Sequence, residues 1–132
     1  MASIREIMSS PVVTILPRKT VLDAAKLLTM KDIESLIVAW GDETVGVITE
    51  KDIVRRVVAK ELPYSTKIAD IMSTPVITIN VRKTGEEAMR LMHEKGVKRL
   101  PVVERGKIVG IITATDLVNS LYDMEKIIQR PR

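Results

Sequence analysis

Shifted by 64 residues, the chain falls on itself. Residues 4–57 overlay 68–121 without a gap and share 22 identities in 54 positions. "IREIMSSPVVTI" (4–15) meets "IADIMSTPVITI" (68–79), "RKT" (18–20) meets "RKT" (82–84), and "GVITEKD" (46–52) meets "GIITATD" (110–116). Self-similarity at this period means two copies of one structural unit, and it dominates every other constraint on the fold. Each copy is too short to bury much apolar surface alone, so two must cooperate to close a core.

Each copy has the same pattern. "PVVTI" and "PVITI" are short β-rich runs. "TVLDAAKLLTMKD" (20–32) places Val21, Ala24, Ala25 and Leu28 at helical spacing, and "TGEEAMRLMHEKG" (84–96) does the same with Ala88, Leu91 and Met92. Thr20 with Asp23, and Thr84 with Glu87, make capping boxes at the helix starts, and Gly96 marks a stop. "SLIVA" (35–39) and "RLPVV" (99–103) predict strands that turn through "WGDE" and "ERGK" and return as "TVGVIT" and "KIVGIIT". A second helix follows, from about Glu50 to Ala59 and from about Ala114 to Gln129. The expectation is an α+β chain of two β-α-β-β-α repeats, 4–59 and 68–129, joined by "KELPYSTK" (60–67).

Composition narrows the chemistry. There is no cysteine, so disulfides, thiolate catalysis and Cys-ligated zinc are excluded, which fits a reducing cytoplasm. No apolar run approaches the ~20 residues of a membrane span, and the N-terminus lacks the apolar core of a signal peptide. Aromatics are 2% of the chain with no Phe, so Ile, Val, Leu and Met must build the core. The net charge of +4 lies wholly in residues 65–132, where twelve Lys/Arg face eight Asp/Glu; residues 1–64 hold nine of each. That excess leaves a nucleic-acid surface as an alternative to a solvated one. There is no P-loop, no G-x-G-x-x-G and no Cys or His pair for nucleophilic catalysis, so no catalytic residue is assigned. His93, the sole histidine, lies on the polar side of its helix, and no metal site is expected.

The repeated Gly-x-x-Thr-x-x-Asp phrase has two readings. Thr49 with Asp52, and Thr113 with Asp116, stand where a strand ends and a helix begins, so each pair can be a capping box, although Asp is a methylene shorter than Glu. The same helix start also offers N–H groups to an anionic ligand. Gly46 and Gly110 are either packing positions or points of close backbone approach. Met8 and Met72 are core or interface filler. Trp40 belongs to a hairpin turn, as an exposed residue or an oligomer contact. Leu117, Leu121, Met124 and Ile128 form one stripe on the last helix, as core or dimer surface. Lys98 and Arg99 have no basic counterpart; Glu34 and Ser35 replace them in the first copy.

The opening "IMSSPVVTI" and "IMSTPVITI", the "LPVV" strand and the closing Gly-x-x-Thr-x-x-Asp, in this order and twice, resemble a pair of CBS (cystathionine beta-synthase) domains over nearly the whole chain. The resemblance implies repeats related by a pseudo-two-fold axis, a homodimer, and a module that binds an adenine nucleotide and regulates a partner protein. AMP, ADP and ATP are the implied ligands, with S-adenosylmethionine and NAD behind them. It further implies that the Asp accepts from the ribose hydroxyls, that the Thr lies near the phosphate, and that each cleft mixes the repeats. One cleft would use Thr49, Asp52, Thr78, Lys98, Arg99 and Pro101; the other would use Thr14, Ser35, Thr113 and Asp116. A ligand would change the angle between repeats or between dimer partners. A nucleic-acid-binding protein and a structural dimerisation module with empty clefts are the alternatives.

Overall fold

The computed structural model describes residues 2–128, with side chains described through Asp123. The predicted helical stripe residues Met124 and Ile128, as side chains, and the predicted helix end Gln129 lie outside the described residues. In the order of the chain the elements are α1 (Ile4–Ile7), β1 (Thr14–Ile15), α2 (Val21–Lys31), β2 (Ser35–Trp40), β3 (Glu43–Thr49) and α3 (Glu50–Ile53), which runs into a π-helical turn (Val54–Val58). Then come α4 (Ile68–Ile71), β4 (Ile79–Asn80), α5 (Gly85–Lys95), β5 (Arg99–Glu104), β6 (Lys107–Thr113) and α6 (Ala114–Ile128).

The α+β class and the repeated topology are as the sequence predicts. One sheet has the order β1-β2-β3 and the other β4-β5-β6, with a parallel first pair and an antiparallel second pair in each. The registers coincide after the 64-residue shift: Ser35 faces Thr49 as Arg99 faces Thr113, and the bulge between Val38 and Ala39 recurs between Val102 and Val103. The hairpin loops differ in conformation. Gly41 alone has positive φ in the first, whereas Arg105 and Gly106 both do in the second, the pattern a type I′ turn needs.

The compact units are offset from the sequence repeats. One unit is Val13–Val76; the other joins the residues up to Val12 to those from Ile77 onward. Each core is therefore completed by the opening segment of the other repeat. In the first unit Ile15, Val21, Ala24, Leu28, Leu36, Val38, Ile48 and Val57 pack with Ile68 and Ile71 of α4. In the second, Ile4 of α1 packs with Ile79, Ala88, Met92, Leu100, Ile112 and Leu117.

This exchange explains where the predicted elements changed. "PVVTI" and "PVITI" read as strands, but the ordered strands are only Thr14–Ile15 and Ile79–Asn80. The run has two duties. Upstream of it, Ser9 pairs with Ile111 and Ser73 with Val47, while the downstream end pairs with β2 or β5. A single straight strand cannot serve two sheets. The four-residue helices α1 and α4 carry no legible period and were not expected from the sequence. The predicted helix from Glu50 begins as α and continues as a π turn closed by Ala59 N–H donating to the Val54 carbonyl at 2.9 Å. The connection 60–67 is largely exposed but tied to α2 by backbone hydrogen bonds: Leu22 N–H donates to Tyr64 O and Val21 N–H to Thr66 O.

Candidate functional site

The Thr-x-x-Asp pairs close as complete capping boxes. Asp52 N–H donates to Thr49 Oγ1 at 3.1 Å, and Thr49 N–H donates to Asp52 Oδ2 at 2.9 Å. The second pair repeats this, with both bonds at 3.0 Å. The shorter Asp thus performs the reciprocal bond that Glu87 performs at the start of α5. The box is built at the strand end because the next N–H is also satisfied: Glu50 N–H donates to Glu34 O at 3.0 Å, and Ala114 N–H to Lys98 O at 2.8 Å. Residues 34–35 and 98–99 are thereby fastened beside the box of their own unit.

A cap uses one carboxylate oxygen and leaves the other. Among the described residues, Asp52 Oδ1 receives only long contacts, from Ser73 Oγ at 3.5 Å and from Arg56 Nε at 3.7 Å. The Asp52 side chain is 13% exposed. Asp116 Oδ1 has no hydrogen-bond donor among the described residues. Thr49 is buried and Thr113 half-buried, as are Ser35 and Arg99; Lys98, Thr14 and Thr78 are exposed. Lys51 is exposed, and His93 is exposed too, on the polar side of its helix.

Arg99 carries an unmet demand. Its Nε is buried and has no hydrogen-bond partner among the described residues. A guanidinium N–H left without an acceptor costs about 1–3 kcal/mol or more, so its surroundings call for an oxygen.

Pro101 is buried within the central strand β5. Its counterpart Ile37 donates its N–H to Val13 O at 3.2 Å. Proline has no N–H, so Ile77 O receives nothing from residue 101. The strand responds: Thr14 pairs with Ile37 in β1, whereas Thr78 lies just before β4. Thr78 instead borders an open cleft of about 290 Å³, together with Asn80, Lys83 and Arg90.

The first unit thus brings Ser35 to Thr49 and Asp52, and the second brings Lys98 and Arg99 to Thr113 and Asp116. Sequence reasoning missed Arg56 and Ser73. Arg56 was findable, since it stands four residues after Asp52 on a helix. Ser73 lies in the other repeat, and no local signal points to it.

The chain matches the CBS domain family twice, at residues 4–59 and 68–123, and it belongs to that family. It is 30% identical over 117 residues to the CBS domain-containing protein YhcV of Bacillus subtilis, covering 89% of this chain and 84% of that one. It is 37% identical over 119 residues to an uncharacterized protein of Methanopyrus kandleri, covering 88% of this chain but only 61% of that protein. Among solved structures, the CBS domain pair of protein MJ0100, in complex with 5'-methylthioadenosine and S-adenosyl-L-methionine, superposes with a TM-score of 0.82. Its identity is 26%, covering 94% of this chain and 98% of that one. No helix among the described residues is long and apolar enough to cross a membrane.

Proposed function

We propose that this chain is a regulatory module that binds an adenine nucleotide, AMP, ADP or ATP, and acts through a partner protein. The observation that carries the reading is the buried Arg99 Nε without an acceptor, beside a strand end that also presents Lys98. A phosphate supplies the missing oxygen as a charge-assisted acceptor. Asp52 and Asp116, each with an oxygen beyond the one its cap consumes, suit the two ribose hydroxyls. The Ile77 carbonyl, which Pro101 cannot bond, suits the adenine amino group. The complex of the MJ0100 pair with two adenosyl compounds supports the class of ligand.

On the family pattern Lys98, Arg99, Thr78 and Pro101 share a ligand with Thr49 and Asp52, and Thr14 and Ser35 share one with Thr113 and Asp116. Glu34 replaces Lys98 in the second set, so the nucleotide prefers the first. The module is further proposed to act as a homodimer.

Calorimetry against adenosine, AMP, ADP, ATP, NAD and S-adenosylmethionine tests this reading. Asp52→Ala should weaken nucleotide binding by roughly ten- to a hundredfold, while the lost cap costs about 1 kcal/mol of stability. Arg99→Ala should erase the preference for AMP over adenosine. Combining it with Asp52→Ala and with Asp116→Ala reads out which carboxylate shares its ligand, because only the pair on one ligand is non-additive. If Asp52→Ala costs stability and leaves all affinities intact, capping is its whole role.

A further inference from the structure

Arg56 reaches three groups at once. Its Nη1 donates to Ile71 O at 3.0 Å and lies 3.5 Å from Met72 O, while its Nε stands 3.7 Å from Asp52 Oδ1. Ile71 ends α4, where helix carbonyls lack intrahelical partners and a cation is favoured. The segment it grips is structurally committed. Met72 packs over Gly46, Ser73 exchanges both backbone hydrogen bonds with Val47, and Ser73 Oγ contacts the same Asp52 oxygen. One guanidinium therefore joins the Asp52 carboxylate to residues 71–73.

Among the described residues, the second repeat has no such link. Ser120 stands at the position of Arg56 and Ser9 at that of Ser73, and no hydrogen bond joins either to Asp116 among the described residues. The two Asp positions are alike as caps and differ in what lies behind them.

We propose that Arg56 is a positioning residue that orients Asp52 and transmits its occupancy to the segment Ile71–Ser73, and that only the first repeat is wired in this way. The ligand part rests on the reading of Asp52 as a ribose acceptor. Hydroxyls arriving at Asp52 Oδ1 compete with its two long contacts, not with the 2.9 Å cap bond to Oδ2. Losing part of the carboxylate, Arg56 settles on the carbonyls of Ile71 and Met72, and the pairing of Ser73 with Val47 responds.

Amide hydrogen exchange of the 132-residue chain at Met72 and Ser73 tests this with and without a ligand. Without one, Asp52→Asn should change exchange at both amides by about fivefold or more in the wild type, and should add nothing in an Arg56→Ser background. An equal change in both backgrounds overturns the link. Arg56→Lys keeps the charge but not the fork, so it should behave as Arg56→Ser; full coupling through Lys would overturn the bridging role. With AMP at concentrations that saturate each variant by its own titration, the wild type should shift at Met72 and Ser73, while Arg56→Ser leaves both amides unmoved. If AMP moves them equally without Arg56, transmission runs elsewhere and the proposal fails. If calorimetry shows that AMP does not bind, the nucleotide reading fails, and the Asp52→Asn arm still decides the link.

Discussion

Gly46 and Gly110 sit where the opening segment of the other repeat presses on the sheet. A Cβ built on Gly46 would collide with Met72 Sδ and lie 2.8 Å from Met72 Cγ. One on Gly110 would collide with Met8 Sδ and lie 3.0 Å from the backbone carbonyl of Ser9. The difference decides the outcome. A methionine side chain is flexible and can withdraw. The Ser9 carbonyl cannot, because it accepts from Ile111 N–H at 3.1 Å. Both Gly→Ala variants should be destabilised, Gly110→Ala by about 2–3 kcal/mol and Gly46→Ala by about 1 kcal/mol. Urea unfolding of the two variants checks this, and equal losses would show that the methionine alone sets the cost. The sequence displays the glycines as a repeated pair but not their partners, since Met72 is 26 residues from Gly46 and Met8 is 102 from Gly110. The same limit hid Ser73 from a reading of Asp52. The Thr-x-x-Asp phrase was legible as a cap because a capping box spans only four residues.

At the scale of elements, α2 and α5 were legible almost to the residue, and their signals are local and chemical. Thr20 and Thr84 cap as expected, and Gly96 closes α5 in the left-handed conformation at φ 65°. Electrostatics adds to the first cap. The Thr20 backbone N–H holds Asp23 below its ordinary carboxylate range, helped by the Thr20 side chain, Lys19 and Lys26 and opposed by slight desolvation. Glu104, at the end of β5, is held low mainly by its hydrogen bond from Arg5 of α1. Both folded values lie below the unfolded ones, so both groups stabilise the fold above the ordinary carboxylate range. That contribution is lost as pH falls through the folded values. An Asp23→Ala, Glu104→Gln double variant should therefore melt below the wild type at neutral pH, and the gap should narrow as pH falls below the ordinary carboxylate range and through the lowered folded values. A gap that stays constant with pH would mean that these carboxylates act by packing rather than by charge. The openings of the repeats were less legible. Their strands shrink to two residues and gain α1 and α4 because the segment serves two units, a non-local demand that periodicity cannot register.

Taken whole, the molecule exchanges opening segments between its repeats, so neither repeat owns its core, and the repeat itself announced that interdependence. What the cores leave outside is also repeated. Val54 and Val58 are 59% and 52% exposed, and their counterparts Val118 and Tyr122 are 62% and 61% exposed. Single exposed apolar residues are ordinary. Two pairs at equivalent positions, each four residues apart on the helix that follows a capping box, are a pattern. A second copy of the chain offers the same two pairs, as an isologous interface requires. Covering such a side chain is worth up to about 1.5–3 kcal/mol relative to leaving it in water, and each protomer would contribute its own set. Wild-type protein should therefore sediment as a dimer at micromolar concentration. Val58→Asp with Tyr122→Asp places charges at two of the four positions while leaving Val57 and Leu117, buried in their respective units, untouched. The double variant should sediment as a monomer, with its dissociation constant raised about a hundredfold or more, and with an unchanged far-ultraviolet dichroism spectrum. A wild type that remains monomeric, or a double variant that remains dimeric, would assign these faces to solvent or to another partner and place any self-association elsewhere on the chain.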